Sequence, residues 1–267
     1  MNEVTQDQVA ECLRTVGIGP GDGVLVHAAI QYLGRPVGGV GIYWAAFQDV
    51  LGEGGTLVVP TFDFGFARGI PFDRANTPSE KMGVFAEYVR CLPEAKRTPH
   101  PMQSLAAVGR HAEDLAGRDT PSAFDPESAL ERMLDLGFSM VLLGASIQVA
   151  SMVHYAEQKR QVPYRYWKDF PGTVIDDGIA RAAVYRMYSR DLELDPRTDF
   201  EPVQRRLETE GLWAQTRLNY GTVAACSLRD AVAAADALLG EDPWALIGNR
   251  AEAQQPAQAA RLGGEPR

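Results

Sequence analysis

The run Met140-Val141-Leu142-Leu143, closed by Gly144, is the feature that most constrains the fold. Consecutive apolar residues leave no polar side for water, so this strand needs cover on both faces. Residues 23–28 (GVLVHA) and 56–62 (TLVVPTF) read the same way. A glycine-rich loop and an aromatic-rich helix from about Ile42 to Leu51 lie between them, the spacing of a parallel βαβ unit. After Gly144 the chain turns at Ala145-Ser146, with Ser146 as candidate N-cap. The helix that follows is expected to carry Ser151, His154, Glu157 and Gln158 on one stripe, because residues three and four apart share a face. A histidine and a glutamate then project just beyond the carboxyl end of a central strand, where open α/β sheets bind ligands. His154 is the candidate general base.

The remaining pattern extends this arrangement. Thr5-x-x-Gln8 is a capping box opening a helix to about Val16. Helices are expected at residues 82–92, at 126–136 with Pro126 in the first turn, at 199–211 capped by Asp199, and at 227–239. Strands are expected at 104–109 and 221–226. Residues 163–168, 172–175 and 179–190 form an antiparallel patch, turning at Asp176-Asp177-Gly178. The fold class is therefore α/β: three layers, α/β/α, with a mostly parallel central sheet and an antiparallel β insertion. One domain is expected over residues 1–250, with the inserted hairpin region at about 163–190 and a mobile tail at 251–267.

A net charge of −9 excludes the basic excess that nucleic-acid binding requires. Acidic surface around a cleft would instead attract a cationic small molecule. Cys12, Cys91 and Cys226 are widely spaced, which argues against a zinc knuckle or a disulfide framework. No apolar run approaches the ~20 residues of a membrane span, and the polar start is neither a signal nor a transit peptide. A cytoplasmic location is the expectation, with a homodimer left open.

Neither G-x-G-x-x-G nor G-x-x-x-x-G-K-[ST] is present. Ser146 lacks the final glycine of a nucleophile elbow. His27, His100, His111 and His154 are far apart and include no H-E-x-x-H, so no metal site is expected. The glycines around Arg35 can still present backbone N–H groups to an anion.

Four blocks together resemble the aminoglycoside 3-N-acetyltransferase (antibiotic N-acetyltransferase) family. They are Val26-His27-Ala28-Ala29-Ile30 with Gly34 and Gly38-Gly39, then Val59-Pro60-Thr61-Phe62, then Arg97 through Ser104 (RTPHPMQS), and Leu142-Leu143-Gly144 with His154-Tyr155-Ala156-Glu157. The resemblance implies acetyl-CoA as co-substrate and acetyl transfer to a primary amine of an amino sugar or aminoglycoside-like molecule. It implies His154 as base, supported by Glu157. It also implies a coenzyme site lined by His27, Ala28, Ala29, Gly34, Arg35, Gly38, Gly39, Thr61, Arg97, Thr98, His100 and Ser104. Ala29 stands where the family often has serine, and Gln148 where it often has Asp or Asn. Beyond Pro163 the chain looks more like biosynthetic relatives than resistance enzymes.

On this reading Thr61 or backbone N–H groups near Ser146 would face the thioester oxyanion, and Ser104 the coenzyme thiol or pantetheine arm. Arg97 and Lys96 would face phosphates, while Asp63, Asp73 and Asp125 would hold a cationic acceptor. Transfer of another acyl group, a non-sugar amine acceptor and a His-dependent hydrolase on the same fold are the alternatives.

Overall fold

The computed structural model describes residues 2–254. In chain order the elements are β1 (Glu3–Val4), α1 (Gln6–Thr15), β2 (Gly23–Ala28), β3 (Arg35–Pro36), α2 (Gly41–Leu51), β4 (Thr56–Pro60), β5 (Phe72–Asp73), α3 (Val84–Arg90), β6 (Lys96–Arg97) and β7 (Leu105–Gly109). There follow α4 (Ala112–Ala116), α5 (Ala129–Asp135), β8 (Ser139–Leu143), α6 (Val153–Arg160), β9 (Arg165–Asp176), β10 (Ile179–Arg190), α7 (Glu201–Thr209), β11 (Ala214–Leu218), β12 (Gly221–Ser227) and α8 (Leu228–Glu241).

The central sheet has seven strands in the order β11-β12-β8-β2-β4-β7-β6. Its middle three, β8, β2 and β4, run parallel, and the flanking strands pair antiparallel. The apolar runs alternate between two cores, as strand geometry demands. Leu25, Val58, Met140 and Leu142 pack against α5, α6 and α8 on one face. Val24, Val26, Leu57 and Val141 pack against α1, α2 and α3 on the other. This is the three-layer α/β/α arrangement.

Local signals hold where they are self-contained. The capping box is complete: Thr5 Oγ1 accepts from Gln8 N–H and Gln8 Oε1 from Thr5 N–H. The β9–β10 turn is the two-residue Asp177-Gly178, both at positive φ (48° and 75°), which matches the twist of a hairpin. With β5 this hairpin forms a separate three-stranded sheet over a small core of Phe66, Phe72, Met102, Val174 and Tyr185.

Three expectations need correction. Ser146 makes no side-chain cap; the chain runs through a 3-10 turn (Ile147–Val149), and α6 starts only at Val153, so Ser151 precedes the helix. Pro126 lies outside α5, which Ser128 caps by accepting from Glu131 N–H. The polar alternation of β11 (AQTRL) marks an additional edge strand, paired among the described residues with β12 alone. Of the expected tail, residues 251–254 are helical with Ala253 fully buried, and the remainder lies outside the described residues.

Candidate active site

The carboxyl ends of β2, β4 and β8 share one rim with the amino end of β7, because Pro60 pairs with Leu105 and Ala28 with Leu143. The segments leaving that rim supply the site. His154 and Glu157 lie one turn apart on α6, so their side chains meet. His154 Nδ1 stands 2.5 Å from Glu157 Oε2. Arg165 Nη2 donates to the same oxygen at 2.9 Å, and Tyr164 Oη donates to Oε1 at 2.9 Å.

Glu157 is fully buried. Burial alone would raise its carboxyl pKa, but His154, Arg165 and the Tyr164 hydroxyl outweigh that and hold it below its ordinary value. Arg165 Nη2 also lies 3.1 Å from His154 Nδ1, but the contact to the carboxylate is the shorter, and an ionised carboxylate only accepts, so the His154 proton belongs on Nδ1 and Nε2 carries the free lone pair. The His154 side chain is 31% exposed, which leaves the far edge of the ring open to the cavity it lines. The rings of Phe200 and Phe124 stand edge-on to the imidazole, at 5.7 and 6.4 Å between centroids, and fix its plane.

That cavity, of ≈ 530 Å³, lies between the β4 rim, the 3-10 turn Pro101–Gln103 and the hairpin. Its walls include Phe62, Phe64, Met102, Phe124, Phe170 and Tyr188. A hollow of ≈ 590 Å³ at the opposite end of the sheet, beside Gly55, Lys96 and Gly109, contains no histidine.

Behind His154 sits His27, 4% exposed at the end of β2. Its Nε2 accepts from Ser151 N–H at 3.3 Å, with Ser151 Oγ at 3.0 Å. Burial, with a smaller contribution from His154, lowers its pKa to about 4, so the ring is neutral. Its Nδ1 is buried without a hydrogen-bond partner.

The other expected site residues separate into groups. Ala29 borders a hollow of ≈ 530 Å³ with Gly144, Ser146 and Tyr220. Gly34, Gly38 and Gly39 all take positive φ. A Cβ on Gly34 would lie 2.5 Å from Asn2 O, so only glycine fits there. Arg35 is exposed and pairs with Glu3.

Arg97 turns inward. It is 6% exposed, stacks over Phe72 at 4.6 Å, and donates to Thr61 O, Thr77 O, Thr61 Oγ1 and Ser104 Oγ. Burial lowers its pKa to about 10, and the carbonyl cage takes up its donors. Thr61 and Ser104, both with no exposed surface, are enclosed in this knot and present no hydroxyl to a ligand. Thr98 accepts from Leu105 N–H, and His100 accepts from Gln103 N–H while its Nε2 lies 3.3 Å from Arg186 O. Burial lowers the His100 pKa to about 4. Arg97, Thr98, His100 and Ser104 brace the wall of the site rather than lining it, while Met102 and Gln103 of the same block face the cavity. Lys96 pairs with Glu113, away from the rim.

The carboxylates are not gathered either. Asp73 holds Ala75, Asn76 and Thr77 in its own turn, beside a different hollow. Asp125 accepts from Ser122 N–H and Gln158. Asp63 accepts from Gly65 N–H, with Oδ2 buried and unpartnered. No carboxylate lines the His154 cavity among the described residues. Tyr164 and Arg165, which complete the Glu157 cluster, carry no motif of their own; their place at the head of a strand gave no functional signal.

No helix among the described residues is long and apolar enough to cross a membrane. The family model described as aminoglycoside 3-N-acetyltransferase matches residues 25–240. The chain is 30% identical over 239 residues to aminoglycoside N(3)-acetyltransferase IV of Salmonella sp, covering 86% of this chain and 85% of that one. It is 30% identical over 197 residues to aminoglycoside N(3)-acetyltransferase VII of Streptomyces paromomycinus, 66% and 67% of the two chains. Among solved structures, aminoglycoside acetyltransferase AAC(3)-IVa in complex with a gentamicin superposes with a TM-score of 0.79 at 27% identity, covering 98% of both chains. AAC-IIIb in binary complex with coenzyme A superposes equally well at 0.79 and shares the fold at 20% identity, covering 90% of this chain and 97% of that one. With the match spanning most of the sheet and the His154 segment, the chain belongs to the aminoglycoside 3-N-acetyltransferase family and is an N-acetyltransferase.

Proposed function

We propose that this enzyme transfers an acetyl group from acetyl-CoA directly to a primary amine of a small molecule of the amino-sugar class, with His154 as general base. The observation that carries the reading is the imidazole whose Nδ1 is committed to a buried, ionised Glu157 while Nε2 faces the cavity. An alkyl ammonium is not a nucleophile, so its proton must leave before the nitrogen attacks the thioester carbon. Nε2 accepts that proton, and Glu157 stabilises the imidazolium that results. The new N–C bond replaces the C–S bond; the nitrogen gives up two protons on the way from ammonium to amide, one returned by the imidazolium to the leaving thiolate and the other released to solvent.

No acyl-enzyme is needed when both substrates meet beside one base. Ala28 to Gly39, which leaves the rim at β2, supports the coenzyme side. The test is coenzyme thiol release with a panel of amino sugars, nucleotide-linked amino sugars and aminoglycosides, using wild type and His154→Ala. Release that depends on an amine and is lost in the variant is expected. Near-full release by a folded His154→Ala removes the assignment.

A further inference from the structure

The walls of the His154 cavity carry the wrong charge for a polycation. We propose that the acceptor is a primary amine on a scaffold bearing both an aromatic ring and an anionic group, such as a nucleotide-linked amino sugar. This inference rests on His154 being the base of that cavity.

The first observation is electrostatic. The protein has a net charge of −9, yet among the described residues no aspartate or glutamate lines this cavity, while Arg165, Lys168 and Arg190 do. Arg165 is neutralised by Glu157. Lys168 lies 5.2 Å over the Phe170 ring, with no carboxylate of the cavity wall to meet it. Arg190 donates to the Pro196 carbonyl at 3.4 Å. Lys168 and Arg190 are exposed at the mouth of the cavity, and charge of one sign gathered at an opening attracts the opposite sign and repels its own. An acceptor with several ammonium groups would be desolvated there without a carboxylate to meet it, whereas a phosphate or carboxylate finds Lys168.

The second observation is apolar. Tyr166, Lys168 and Phe170 alternate along β9 and so share a face. Phe64 (36% exposed), Tyr166 (45%) and Leu192 (72%) gather at the mouth of the same cavity. Exposed apolar side chains collected at one opening mark a binding surface, and aromatic rings beside a cation suit a flat anionic ligand. The amine end then reaches Nε2 while the ring and charge stay at the hairpin.

Two measurements test this separately from the acetylation reading. The first is calorimetric binding of uridine diphosphate, with the coenzyme site filled by saturating coenzyme A. Saturable binding that weakens about tenfold in Lys168→Glu, as loss of a charge-assisted contact requires, is expected. Absence of binding, or binding unchanged in Lys168→Glu, overturns the proposal whether or not turnover is seen. The second is thiol release with UDP-glucosamine, glucosamine and gentamicin. A kcat/KM for UDP-glucosamine at least about tenfold above the other two is expected, with a raised KM for it in Lys168→Glu. A higher kcat/KM for gentamicin overturns the proposal while leaving His154 as base. A Lys168→Glu variant with weakened coenzyme A binding and an unchanged acceptor KM also overturns it, by giving the cavity to the coenzyme.

Discussion

Glu157→Gln isolates the charge behind the base. Glutamine has the same shape and can keep the hydrogen bonds: its carbonyl replaces Oε2 for His154 and Arg165, and its amide donates to Tyr164, whose hydroxyl turns to accept. What disappears is the negative charge facing the imidazolium formed in the transition state. A hydrogen bond to a charged group is worth about 1.5–3 kcal/mol, so kcat is expected to fall about 10- to 100-fold. The loss occurs only in the transition state, so kcat and kcat/KM fall together.

The same change leaves the Arg165 guanidinium, 11% exposed, without its counter-ion and destabilises the fold by about 3–5 kcal/mol. Turnover is therefore measured by thiol release below the variant's melting temperature. The Glu157 carboxyl has a depressed folded pKa, so its stabilisation is complete above its unfolded value near ~4.3 and vanishes as pH falls through the folded value. The stability gap between wild type and Glu157→Gln should accordingly narrow below pH ~4.3 and close as pH falls through the folded value. A folded Glu157→Gln with kcat within about twofold of wild type would refute the role given to the carboxylate.

Further outcomes are expected from the same geometry. His154→Ala should lose about 10²–10⁴ in kcat while keeping the wild-type melting temperature to within a few degrees, since the ring lies partly open to the cavity. Arg97→Lys should destabilise by about 2–4 kcal/mol in urea, because one ammonium cannot meet the carbonyls of both Thr61 and Thr77; an unchanged midpoint would argue against the knot. Gly144→Ala should cost more than about 2 kcal/mol, since φ is +72° and the new Cβ would meet Ala29 O at 2.6 Å. His27 and His100, both lowered to about 4 by burial, bind fewer protons folded than unfolded. Stability should therefore fall as pH drops from ~6.5 toward 4, and His100→Asn should flatten that slope in denaturation curves.

The sequence by itself determined what depends on near neighbours. The Thr5–Gln8 box, the Asp177-Gly178 turn and the limits of β2 follow from side chains within a few positions of one another. The meeting of His154 with Glu157 follows from helical pitch alone. The doubly apolar strands dictated helices on both faces before any coordinate was known.

Tertiary structure decided whatever depends on partners distant in the chain. Strand direction at β7 and β12 is invisible to an apolar pattern, which is the same in either sense. Arg97 reads as an exposed phosphate contact until Thr61 and Thr77, 36 and 20 positions away, close around it. Tyr164 and Arg165 became supports of Glu157 only when β9 folded back on α6. The overall acidity of the chain likewise gave no hint of a cavity lined by cations. Net charge sums over the whole surface, whereas a ligand meets the few side chains that folding turns toward it.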